Sequence, residues 1–207
     1  MVDKKVNKII KILLVLVICI AILTVVYVNL PEDKSIDDTT DNNEGQNPPA
    51  TIIFTATYAD EILSYTLEEL ENLEEFSGSG RYVKADPLPD TVIIKGPYAL
   101  TGVRFSTILE QFESLPEKYN ITITTSDNYP INPYTDDNAT GTVDIYDETG
   151  NVTETSGSTM ILAYKQDDEY ITDEETGPLR VGFVGDDIIT LSSLWAKLVV
   201  SIEIIEV

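Results

Sequence analysis

The segment Ile161–Asp187 reads ILAYKQDDEYITDEETGPLRVGFVGDD. Its two ends are apolar and its middle is acidic, a pattern that places two buried pieces on either side of a solvated loop. Upstream, STMILAYK (158–165) holds the apolar run Met160–Tyr164 and predicts a short buried helix. Downstream, Gly177-Pro178-Leu179-Arg180 feeds into PLRVGFVG, which predicts a strand. The proline restricts the approach, and Leu179, Val181, Phe183 and Val184 supply core residues. Arg180 is one of only three arginines in a chain of 207 residues with 36 acids, 13 Lys and Arg, and a net charge of −23.

The flanking sequence is rich in strands. TIIFTATY (51–58), TVIIKG (91–96), NITITTS (120–126) and LVVSIEIIEV (198–207) carry β-branched and aromatic residues. The strand over 91–96 is expected to end at Gly96-Pro97. TVDIYDETGNVTET (142–155) predicts a hairpin around Gly150. Two helices are expected. TLEELENL (66–73) has a capping box of Thr66 and Glu69 and places Leu67, Leu70 and Leu73 on one face. VRFSTILEQF (103–112) places Phe105, Ile108, Leu109 and Phe112 at amphipathic spacing. The expected fold class is α+β, mainly β with a few short helices, in one domain over 51–207. No βαβ rhythm and no internal repeat is present.

The N-terminus has a different character. Residues Ile12 to Leu30 are uncharged over 19 positions, enough to span about 28 Å as a helix. Lys4, Lys5, Lys8 and Lys11 precede this run, and Glu32, Asp33, Asp37, Asp38 and Asp41 follow it. The positive-inside rule predicts a cytoplasmic tail over 1–11, one transmembrane helix over 12–30 and an extracellular remainder. No small-residue cleavage motif precedes Pro31, as a signal peptide would require. Ile18 before Cys19 does not fit a lipoprotein site. Residues 31–50, rich in Asp, Asn, Thr and Pro, are expected to be a disordered acidic linker. Residues 1–11 carry +3, which leaves −26 for the rest. Three N-glycosylation sequons, at Asn120, Asn138 and Asn151, fall on the predicted outer side.

Composition narrows the chemistry. An acidic surface repels nucleic acid. Without histidine, the usual general base at neutral pH and the commonest metal ligand are lacking. The single cysteine, Cys19, allows no intrachain disulfide and no Cys/His zinc site.

The order of phrases YTLEEL, TGVRFSTILEQF, TSDNYPI, ILAYKQDDEY…GPLRVGFVGDD and LWAKLVVSIEI resembles the molybdopterin-binding domain of the sulfite oxidase family over roughly Thr51 to Val207. The resemblance is carried by Thr101-Gly102-Val103-Arg104-Phe105, Asp127-Asn128-Tyr129, Leu162-Ala163-Tyr164 through Arg180, and Trp195 to Ile205. It implies that GPLR leads into a strand beside a cofactor region and that basic groups bind a pterin phosphate. Arg81, Arg104 and Arg180, with the amides of Gly78-Ser79-Gly80, are the candidates for a vestigial anion pocket. The competing reading is ion pairing with the abundant carboxylates, Asp186 or Glu175 being the expected partners of Arg180.

Family enzymes ligate molybdenum through a cysteine between the first helix and the Gly-Val helix. The interval here has none, and Glu175 and Thr176 stand where a histidine is often found. A soft metal centre lacks its thiolate. The expectation is therefore a non-catalytic, membrane-anchored extracellular module with no cofactor, no metal site and no catalytic residues. Its partner is an extracellular protein or surface ligand. The alternative is a molybdopterin-dependent extracytoplasmic oxidoreductase. Acidic stretches at Asp167–Glu175 and Asp136–Glu148 lack the EF-hand pattern and read as solvated surface. They nominate no carboxylate pair for glycoside hydrolysis. Trp195, Tyr129, Tyr134 and Tyr164 are either core or the lining of a ligand groove.

Overall fold

The computed structural model describes residues 51–84 and 92–207. The expected tail (1–11), transmembrane helix (12–30) and linker (31–50) lie outside the described residues. Among the described residues, no helix is long and apolar enough to cross a membrane.

The domain is mainly β. Strand β1 (Ile52–Tyr58) alternates inward Phe54 and Ala56 with outward Thr55 and Thr57, as a half-buried strand must. It pairs with β2 (Glu61–Thr66). Helix α1 (Leu67–Glu71) follows, and its first turn is closed by the expected capping box. The Thr66 hydroxyl accepts from the Glu69 amide at 3.2 Å, and Glu69 accepts from the Thr66 amide at 2.8 Å. The two bonds satisfy amides that a helix start leaves orphaned. The bond from the Thr66 amide, with the Thr66 hydroxyl beside it, also holds the Glu69 carboxyl below its ordinary pKa.

Strands β3 (Glu75–Lys84) and β4 (Ile93–Arg104) form a long antiparallel pair. The expected end at Gly96-Pro97 does not occur: β4 runs through it to Arg104. Pairing passes from Gly80↔Tyr98 to Tyr82↔Lys95, so Gly96 and Pro97 together face Arg81 in a bulge. A bulge leaves a residue outside the ladder, and so tolerates a proline with no N–H to donate. Helix α2 (Phe105–Leu109) is shorter than the predicted 103–112, because the strand extends to Arg104. Its predicted apolar face is correct: Phe105, Ile108, Leu109 and Phe112 are all buried.

Strand β5 (Tyr119–Thr125), the short β6 (Tyr134–Thr135) and helix α3 (Asp136–Ala139) lead to the hairpin of β7 (Thr142–Tyr146) and β8 (Val152–Gly157). Its turn holds Gly150 at φ +80°. The segment expected as a buried helix, 158–165, is instead strand β9 (Thr159–Gln166). Met160, Leu162 and Tyr164 belong to the main core, while Ile161 and Ala163 belong to a second cluster on the opposite face. A strand buried on both faces loses its period-2 signal and reads like any apolar run.

Strands β10 (Glu169–Tyr170), β11 (Arg180–Val184), β12 (Ile189–Leu191) and β13 (Val199–Glu206) complete the chain. One sheet has the order β2-β1-β13-β5-β6. A second has the order β10-β9-β4-β3-β12, with β11 also pairing β9, and the β7–β8 hairpin is a separate two-stranded sheet. The main core draws Phe54, Ile121 and Ile202 from the first sheet and Val103, Leu162 and Phe183 from the second. The smaller cluster gathers Leu100, Ile161, Ala163 and Val184 of the second sheet with Ile171 and Trp195 from the segments beside it.

Candidate functional site

The three arginines occupy three different settings. Arg81, on β3, pairs with Glu148 at 2.5 Å and Asp187 at 2.6 Å. Arg104, at the end of β4, pairs with Glu74 at 2.7 Å and lies 4.1 Å over the Phe76 ring. Arg180 opens β11, whose register sets it opposite Ala163 of β9. Its residue is only 3% exposed, and it makes no ion pair among the described residues. Neither Asp186 nor Glu175, the partners expected from sequence, reaches it. Its one hydrogen bond there runs from Nη1 to the neutral Gln166 side chain at 2.5 Å, and Nε has no partner.

Aromatic rings take the place of a carboxylate. The guanidinium carbon is 5.4 Å from the ring centroids of both Tyr98 and Trp195. Tyr82, Tyr98 and Trp195 pack together, with centroids 5.2 to 6.1 Å apart. Trp195 is held by a 2.7 Å bond from its indole N–H to Thr190. Burial lowers the Arg180 pKa, opposed by Tyr82, Tyr98 and Asp167. The group stays cationic, as arginine does in proteins.

Arg180 forms part of the wall of a cavity of about 310 Å³, beside Tyr82, Tyr98, Gln166, Glu169, Asp173 and Lys197. Arg81 and Arg104 do not line it. Lys197 also borders a larger cavity of about 610 Å³ that reaches Trp195, Tyr129 and Glu175. Of the four aromatics singled out in the sequence, Tyr134 and Tyr164 are core and Tyr129 is 67% exposed. Trp195 is 5% exposed, yet lies at the edge of this larger cavity. Burial pushes the Tyr134 hydroxyl above its usual range. It does the same for Tyr164, which also donates to Glu75.

Gly78-Ser79-Gly80 is neither a turn nor a nest of free amides. It lies inside the β3–β4 ladder, opposite Leu100, Ala99 and Tyr98. A Cβ on Gly80 would run into the Phe183 carbonyl, so glycine here permits β11 to lie close against β3. The acidic stretches do not converge: among the described residues, no group of three His, Cys, Asp or Glu side chains is placed to hold a metal. Asp136 pairs with Lys118, Glu148 with Arg81, and Asp147 receives the Thr149 and Asn151 amides. The Asn138 amide is engaged in the capping box of α3, whereas Asn151 lies exposed in the β7–β8 turn.

Molybdopterin does not fit the residues present. Residues 51–207 contain neither cysteine nor histidine to ligate the metal, and of the three arginines expected to share its phosphate, Arg81 and Arg104 are held in separate ion pairs and do not line the cavity of Arg180. Tyr82, Tyr98, Gln166 and Lys197 were not among the residues singled out from sequence. They come from four separate segments and share no spacing that would reveal them.

Fold and site together define a mainly-β domain with a cleft walled in part by a buried arginine that has no ion-pair partner among the described residues. No family model matches the chain, and no curated protein matches it.

Proposed function

We propose that the protein is a membrane-anchored, extracytoplasmic binding module that receives an anionic group of its ligand at Arg180 and carries out no redox chemistry of its own. The finer fold reading, a sulfite oxidase-like molybdopterin domain, rests on the ordered sequence phrases. The single observation that carries the binding reading is Arg180. In a domain crowded with acids, the two other arginines have carboxylate partners and the most buried one has none among the described residues. A buried cation is costly unless an anion and hydrogen bonds compensate it, and here the residue lines a cavity. The membrane reading rests on the uncharged run 12–30 and its charge asymmetry. The partner is a surface ligand or an extracellular protein presenting an anionic group.

Two measurements test this. Protease added to intact cells is expected to remove the domain 51–207 from its anchor, and a fully protected chain would overturn the topology. Millimolar acetate or phosphate is expected to change the fluorescence of Trp195, the only tryptophan, in the full-length protein in detergent. Arg180→Met is expected to abolish the response. No response in the wild-type protein, or an unchanged one in the variant, would overturn the binding reading.

A further inference from the structure

The charges around the cleft are balanced. Arg180 and Lys197 contribute two positive groups, and Glu169 and Asp173 contribute two negative ones. Neither acid is in an ion pair among the described residues. Depth separates the signs: Arg180 is buried, whereas Glu169 and Asp173 are exposed. A dianion attracted to Arg180 is opposed by both carboxylates, and a bare cation attracted to them is opposed by Arg180 and Lys197. A compact ligand carrying both signs is favoured at both ends.

We propose that the Arg180 cleft binds a free, zwitterionic α-amino acid, with its carboxylate on the Arg180 guanidinium and its ammonium toward Glu169 and Asp173. Arg180 suits the first task because a guanidinium matches a carboxylate in a bidentate fork, and no carboxylate of the described residues pairs with it. Gln166, already bonded to Nη1, holds the fork in place. The buried Ile171 and the Tyr82 ring offer an apolar wall to a side chain. A cavity of about 310 Å³ suits a single amino acid and is at the small end for organic ligands. This deepens the anion-receptor reading above and rests on it.

The test titrates the full-length protein in detergent with glycine, L-alanine and L-leucine, each alongside its N-acetyl and its amide derivative, and with acetate as the simple anion. Trp195 fluorescence reports binding. At least one free amino acid is expected to bind about tenfold more tightly than either of its derivatives and than acetate. Glu169→Gln with Asp173→Asn, both at exposed positions, is expected to erase the preference over the N-acetyl form while keeping carboxylate binding. Arg180→Met is expected to lose every response. If acetate or the N-acetyl form binds as well as the free amino acid, the zwitterion proposal fails and the anion reading stands. The proposal also fails if the double variant keeps the full preference. If none of these compounds binds, or if Arg180→Met binds them unchanged, both readings fail.

Discussion

In the absence of ligand, Arg180→Met is expected to be more stable than the wild-type protein, by about 1–4 kcal/mol. Transferring an ion out of water costs several kcal/mol. Against this stand one hydrogen bond to a neutral amide and contacts with the Tyr98 and Trp195 rings. These offset the transfer without a carboxylate to complete it. Methionine keeps an unbranched, flexible side chain that ends level with the arginine Nε and carries no charge to desolvate. Had Asp186 or Glu175 paired with Arg180, as expected from sequence, the change would orphan a carboxylate and destabilise by roughly 3–5 kcal/mol. The sign therefore separates the two arrangements. Equilibrium denaturation followed at Trp195 measures it, and a loss above about 1 kcal/mol would contradict the unpaired arginine. A gain, together with loss of the ligand response, is the trade expected of a site that is destabilising until occupied.

The largest loss is expected at Phe183. Its side chain is fully buried in the main core and stacks on Tyr134 with centroids 6.4 Å apart. Its backbone is pinned between β9, where it pairs with Met160, and Gly80 of β3. The surroundings have little freedom to collapse into the space a truncation leaves, so Phe183→Ala is expected to cost about 3–5 kcal/mol. For a domain of this size that lowers the Tm by roughly 6–20 °C. Tyr129→Ala, at a ring that is 67% exposed, is the control and should change stability by less than about 0.5 kcal/mol. A Phe183→Ala variant that loses under about 1.5 kcal/mol would show that β11 does not close the core as described.

These two neighbours on β11 show how local sequence and tertiary structure divide the description. The sequence by itself determined features that depend on a few adjacent residues. Thr66 and Glu69 close the start of α1, Phe105 through Phe112 share a buried face, and the hairpin turns at Gly150. Capping, helical spacing and turn chemistry act over three to five residues, so they are legible without the rest of the chain. The absence of cysteine and histidine from residues 51–207 is equally legible and limits the chemistry of any site there.

Only the tertiary structure decided that 159–166 is a strand, because its two apolar faces serve two different clusters and leave no period to read. It alone carried β4 through Gly96-Pro97, since a bulge exists only relative to the partner strand. It also decided the fate of each arginine. Identical side chains in one acidic chain end as a double ion pair at Arg81, a single pair beside a ring at Arg104, and a buried cation with no carboxylate partner among the described residues at Arg180. The difference arises because the surroundings of Arg180 are assembled from β3, β4, β9 and the segment before β13. Burial and charge partnership are properties of that assembly, formed by contacts between residues up to about a hundred positions apart, and no local pattern encodes them.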